Sequence, residues 1–212
     1  MWYNKIMKAI GNFFKGIIGF IVTILILIVY LPFWLLFPTR VVGRKNLKSV
    51  KGGAVVACNH YSNFDVIYLT VNLFQNGFKR KYLAKRELNK NKFLGFLLSS
   101  IGAIYITRGA VDRQAIREVG TALDKKKHLL VFPEGTRNKT ESDDMLAIKS
   151  GAVFFAKRSN VPIVPIRMEK RSRIFRFNRI VIGEPYMVGE SGDLSTDEEV
   201  KKLETKFADL IK

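Results

Sequence analysis

The stretch AVVACNHYSNFDVIYLTVNLF, residues 54–74, decides how this chain folds. Its first five residues are a smooth apolar run that reads as a short strand, and Phe64 to Phe74 reads as a helix. Between them stand His60 and, five residues later, Asp65. In an ideal helix that separation turns through roughly 500°, leaving the side chains about 140° apart. In a strand an odd spacing sends them to opposite faces. A turn lets them meet, and Ser62 and Asn63 are turn and N-cap residues. The reading is therefore strand, turn, helix, with His60 in the loop and Asp65 in the first helical turn, folded back towards it.

The same alternation continues outward. Tyr82–Ala84, Ala103–Ile106, Leu129–Phe132, Ile163–Ile166 and Ile180–Ile182 read as strands. Amphipathic stretches at Leu88–Ser99, Asp112–Asp124 and near Lys149–Arg158 read as helices, and Ser195 with Glu198 forms a capping box ahead of a last one. Strands alternating with helices imply a single α/β domain with a largely parallel central sheet flanked by helices, covering residues 40–212.

The 212 residues carry a net charge of +18, which points to an anionic partner: nucleic acid, an anionic membrane, or an acidic carrier or substrate. An apolar content of 48% argues against a disordered basic tail. Cys58 is the only cysteine, so no intrachain disulfide forms, and no His/Cys cluster has zinc-ligand spacing. From Gly16 to Phe37 there is no charge; as a helix that run would span roughly 33 Å. Trp2, Ile6, Ile10, Phe13 and Ile17 precede it at helical spacing and read as an interfacial face. A cleaved signal peptide fits poorly, because LLFPTRVVG offers no small-residue cleavage site. Residues 1–39 are thus expected to form a membrane-embedded helical segment. Basic residues flank it on both sides, favouring a monotopic insertion at the cell membrane with the α/β domain on the cytoplasmic side, although one span also fits.

A carboxylate beside His60 fixes the imidazole tautomer and stabilises imidazolium, as a general base requires. His128 has no acidic neighbour in sequence and reads as a surface residue ahead of a strand. Cys58 closes a strand among apolar residues and suits a small buried position better than a nucleophile. With no GxSxG elbow for a serine, His60 is left to activate a hydroxyl on the substrate. FPEGTR, Phe132 to Arg137, follows an apolar run and belongs at a strand's C-terminal end, where open α/β sheets hold ligands. GAIYITRG, Gly102 to Gly109, is a strand ending in Arg108, and Lys85 and Arg86 add charge at another strand end. The prolines of VPIVPI, Val161 to Ile166, suggest an edge strand or a strand entry. Arginine forks grip phosphate oxygens in pairs, so this set describes a pocket for a phosphorylated alcohol.

Those motifs in that order, NHxxxxD at Asn59–Asp65, Gly102 to Arg108, EGTR at Glu134–Arg137 and VPIVP at Val161–Pro165, resemble the glycerolipid acyltransferases. The likeness is greatest to bacterial 1-acyl-sn-glycerol-3-phosphate acyltransferases and runs from about residue 40 to 185. It implies transfer of a fatty acyl group from acyl-CoA or acyl carrier protein to the sn-2 hydroxyl of a lysophosphatidate, giving phosphatidic acid, with no cofactor and no metal. On this chain it implies His60 as general base and Asp65 as its partner. Lys85, Arg108 and Arg137 would contact the acceptor phosphate, with Glu134 and Gly135 shaping the pocket. NKNKFLG (Asn89–Gly95) and NKTESDDM (Asn138–Met145) depart from the family pattern, which bears on acceptor or acyl-chain preference rather than on the reaction. Two rivals stand beside this: the same chemistry on glycerol 3-phosphate or another lysolipid, and a non-enzymatic binder of anionic membrane. Nucleic acid is disfavoured, since no binding motif appears. The run Arg167–Arg179 is expected to form a second basic patch for lipid headgroups or an acidic carrier protein, or else a solvated hairpin.

Overall fold

A computed structural model describes residues 32–73, 80–100, 102–107, 111–140, 145–169, 173–189, 192 and 195–210. Most of the apolar N-terminal segment expected to enter the membrane lies outside the described residues. Among those described, no helix is long and apolar enough to cross a membrane. The chain divides into two compact units, one of residues 1–38 with 173–177 and one of residues 39–172 with 178–212.

In the larger unit the elements follow as β1 (Thr39–Val42), α1 (Arg44–Lys48), β2 (Ala54–Cys58), α2 (Asp65–Leu73), β3 (Arg80–Lys85), a 3-10 helix (Arg86–Lys90), α3 (Lys92–Ser100), β4 (Ala103–Ile106), α4 (Arg113–Asp124), β5 (His128–Val131), α5 (Gly151–Ser159), β6 (Ile163–Met168), β7 (Asn178–Ile182) and α6 (Thr196–Asp209). The strands form one sheet in the order β1-β7-β6-β2-β5-β3-β4. β6, β2, β5, β3 and β4 are mutually parallel, as the alternation of strands and helices predicts. β7 runs antiparallel to β6, and β1 follows β7 in parallel.

β2 and β5 are buried at every residue because both faces of the sheet are covered. Val55, Ala57, Leu129, Val131 and Ile163 supply one face of the core. Against it α4 packs Ala115, Val119, Ala122 and Leu123, an apolar stripe at helical spacing; α5 adds Ala152, Phe155 and Ala156, and α6 adds Leu203 and Phe207. The capping box at Ser195 and Glu198 is present and starts α6 where the sequence places it.

The sequence reading needs several corrections. β1 and α1 were not foreseen: β1 is only four residues long and buries just Val41, too little for a periodic signal. His128 is not a surface residue but a buried one opening β5. Arg167 is likewise buried in β6 and does not belong to a surface basic patch. Pro165 lies inside an interior strand, not at an edge. It is tolerated because the β6–β7 ladder begins one residue later, at Ile166↔Ile182, while the Pro165 carbonyl still accepts the Gly183 N–H.

Gly43 turns the chain from β1 into α1 at φ 75°, and a Cβ there would stand 2.1 Å from the Ile182 carbonyl oxygen. That oxygen is already bonded to the Asn46 side chain at 2.9 Å, so it has no room to yield. Gly43→Ala is therefore expected to destabilise the α/β unit by at least about 1–3 kcal/mol, the ordinary cost of a left-handed non-glycine residue. A thermal melt of the detergent-solubilised protein checks this, and an unmoved midpoint would show the turn to be adaptable.

Candidate active site

β2 delivers its last residues to the C-terminal edge of the parallel strands, and Asn59 fixes them there. Its side-chain N–H donates to the Met168 carbonyl at 2.8 Å, and its carbonyl accepts the Met168 N–H at 2.9 Å. A carboxamide sets a donor and an acceptor side by side, which matches the carbonyl and N–H of one backbone residue. The following turn closes on Asp65, whose Oδ2 accepts the backbone N–H groups of Tyr61 and Ser62, both at 2.7 Å. The same oxygen meets His60 Nδ1 at 2.9 Å. Asp65 is completely buried, whereas the His60 side chain keeps 15% of its surface exposed. An oxygen accepting two backbone donors is placed as an acceptor for the ring as well. That arrangement favours the neutral tautomer with its proton on Nδ1, whose Nε2 then carries the lone pair. The two residues that a regular helix or strand would hold apart are brought together by the turn.

The loop after β5 grips the same histidine. The Phe132 ring stacks on the His60 ring at 4.0 Å between centroids and 14° between planes. Glu134 is buried and turned inward: Oε1 accepts the His60 N–H at 2.8 Å and Oε2 accepts the Leu146 N–H at 3.1 Å. The Asn138 N–H donates to the His60 carbonyl at 2.7 Å. Both backbone groups and one ring face of His60 are thus held by residues 132–138. Burial raises the Glu134 carboxyl above its ordinary range, and the two N–H donors partly offset this. Burial also pushes the Cys58 thiol well up, with the charges of Asp65 and Glu134 acting in the same direction.

Cations surround this constellation unevenly. Arg137 is exposed on the loop that carries Glu134. Gly135 turns that loop at φ 68°, and a Cβ there would lie 3.0 Å from both Cδ and Nζ of Lys149. The Lys149 stem therefore crosses the Gly135 backbone, while its own N–H bonds the Pro133 carbonyl at 2.8 Å. Lys149 was not among the sequence candidates; its only signal was a position just ahead of α5, in KSG. Lys85 is exposed at the C-terminal end of β3, in register with Ile106 of β4. β3 is separated from β2 by β5. Arg86 is engaged by Asp112 at 2.6 Å and by Thr107 at 3.0 Å. Arg108 lies outside the described residues, and Gly102 precedes β4 at the opposite end of that strand. Among the described residues no group of three or more His, Cys, Asp or Glu side chains could hold a metal ion.

The profile of the family described as Acyltransferase matches residues 38–169, more than half of the chain. The chain belongs to the acyltransferase family. Its similarity extends to a Bacillus subtilis protein named 1-acyl-sn-glycerol-3-phosphate acyltransferase, 29% identical over 82% of this chain and 86% of that one. A Saccharomyces cerevisiae protein of the same name is 32% identical over 64% of this chain and 44% of its own length. Among solved structures, the 1-acyl-sn-glycerophosphate acyltransferase PlsC from Thermotoga maritima superposes with a TM-score of 0.63 at 25% identity, covering 84% of this chain and 73% of that one. The acyltransferase resemblance read from the four motifs is borne out, and the protein is an acyltransferase with the expected α/β fold.

Because Cys58 is buried with a raised pKa, the folded enzyme is expected to resist a maleimide at neutral pH, label fully in denaturant, and keep its activity as Cys58→Ala. Rapid labelling of the native protein, or loss of turnover in the variant, would contradict this geometry. Asp65→Asn sets an amide against the N–H groups of Tyr61 and Ser62, and is expected to lower kcat by about 10²–10⁴-fold with little change in acceptor KM.

Proposed function

We propose that the chain acylates the sn-2 hydroxyl of 1-acyl-glycerol 3-phosphate to give phosphatidic acid, with a thioester of coenzyme A or acyl carrier protein as donor. The observation that carries the mechanism is the 2.9 Å contact between His60 Nδ1 and the buried Asp65 carboxylate. His60 Nε2 takes the proton from the acceptor hydroxyl as its oxygen attacks the thioester carbonyl. The tetrahedral intermediate collapses, the carbon–sulfur bond breaks, and the departing thiolate collects the proton from the imidazolium. Asp65 stabilises that imidazolium and fixes the ring, while Phe132 and Glu134 keep it aimed. The thioester is already activated, so the chemistry asks for proton transfer and oxyanion stabilisation alone.

The choice of acceptor rests on the names of the relatives together with the cations at this sheet edge. Arg137 and Lys85, with Arg108, serve the acceptor phosphate in this reading, and Lys149 joins them from across Gly135. An amphiphilic acceptor with an anionic head also suits a strongly basic enzyme working at the cytoplasmic face of the cell membrane.

His60→Ala is expected to reduce acyl transfer by at least about 10³-fold without releasing the protein from membranes. Arg137→Ala is expected to raise the acceptor KM by about 10-fold or more, the effect of one lost charge-assisted contact. Purified protein given lysophosphatidate, glycerol 3-phosphate and a panel of acyl-CoA and acyl-carrier donors, followed by lipid analysis, tests both. Unchanged turnover in His60→Ala would remove the base, and a product other than phosphatidate would reassign the acceptor.

A further inference from the structure

Residues 173–177, RIFRF, connect β6 to β7 and group with residues 1–38. Their apolar side chains point into solvent: Ile174 is 55%, Phe175 77% and Phe177 92% exposed. In the same unit Trp34 and Leu35 are also exposed. The two segments are tied together, since the Phe175 N–H donates to the Leu36 carbonyl at 2.7 Å. Phe175 adopts φ 55°, a left-handed conformation that is strained for an aromatic residue. An ordinary solvated turn would place glycine or asparagine there, not phenylalanine. Five large apolar groups on two bonded segments therefore form an exposed patch of a kind that marks a contact surface.

The charge pattern identifies the partner. Arg173 and Arg176 are exposed and alternate with the apolar residues. Aromatic rings seated at headgroup depth and guanidinium groups paired with phosphates are how interfacial segments hold an anionic bilayer. An acidic protein would match the arginines, but it does not call for a phenylalanine left almost wholly bare at the end of the turn. We infer that the patch formed by residues 173–177 and 33–37 docks on an anionic phospholipid bilayer, with Trp34, Phe175 and Phe177 among the headgroups and Arg173 and Arg176 on lipid phosphates. This deepens the acyl-transfer reading by giving the enzyme a lipid contact made by residues other than those assigned to the acceptor, and its test involves no turnover.

The experiment uses the full chain with Cys58→Ala and one introduced cysteine, Phe177→Cys, carrying an environment-sensitive fluorophore. Lys51→Cys, exposed on the α/β unit, is the control. In vesicles containing phosphatidylglycerol and chain-brominated lipid, the label at 177 is expected to be quenched at least about twofold more than the label at 51. Replacing phosphatidylglycerol with phosphatidylcholine, or adding Arg173→Ala with Arg176→Ala, is expected to reduce that difference. Equal quenching at both positions would overturn the proposal. So would a spectral change at 177 produced only by an acidic carrier protein and not by vesicles. Loss of the assigned base in the acyl-transfer assay would leave this result standing, so the two readings fail separately.

Discussion

One carboxylate oxygen organises this site. Asp65 Oδ2 closes the turn after β2 by accepting the Tyr61 and Ser62 N–H groups, and the same atom faces the His60 ring. The acceptor geometry that makes the turn is also what sets the imidazole tautomer. Folding the segment and orienting the imidazole are then one event. Full burial of Asp65 keeps water from competing for the contact, while the His60 side chain stays partly open.

The rest of the architecture defends that arrangement. A parallel strand places its outgoing turn at an edge where several loops converge. Here the neighbours of β2 are β6 and β5, and each sends a brace. From β6, Met168 bonds Asn59 twice. From β5, Phe132, Glu134 and Asn138 take the ring face, N–H and carbonyl of His60. Groups fixed in this manner lose little freedom on reaching a reactive geometry, which is where much of the advantage of a preorganised site arises.

The parallel sheet and the His60–Asp65 pair were legible because both depend on local pattern: apolar runs between helical stripes, and a spacing that only a turn reconciles. What escaped the sequence depends on neighbours distant along the chain. His128 reads as surface from its lysine neighbours, yet β2 and β3 pair on either side of it. Pro165 reads as an edge residue until the exact end of the β6–β7 ladder is known. Arg167 stands next to a surface run in sequence, but its guanidinium reaches the Phe207 carbonyl in α6. Glu134 reads as a pocket residue, and its inward turn becomes visible only with His60 and Leu146 in place. The Lys149 stem lies across the Gly135 backbone, and no spacing rule encodes that.

The Asn59 brace also bears on biosynthesis. Its partner Met168 lies 109 residues further along the chain. A ribosome therefore releases the histidine and its turn well before it makes the strand that anchors them. Until β6 emerges and docks beside β2, the nascent chain carries His60 and Asp65 without the clamp that holds the strand end. The strand end that carries His60 is therefore anchored only once β6 has been made and has docked beside β2.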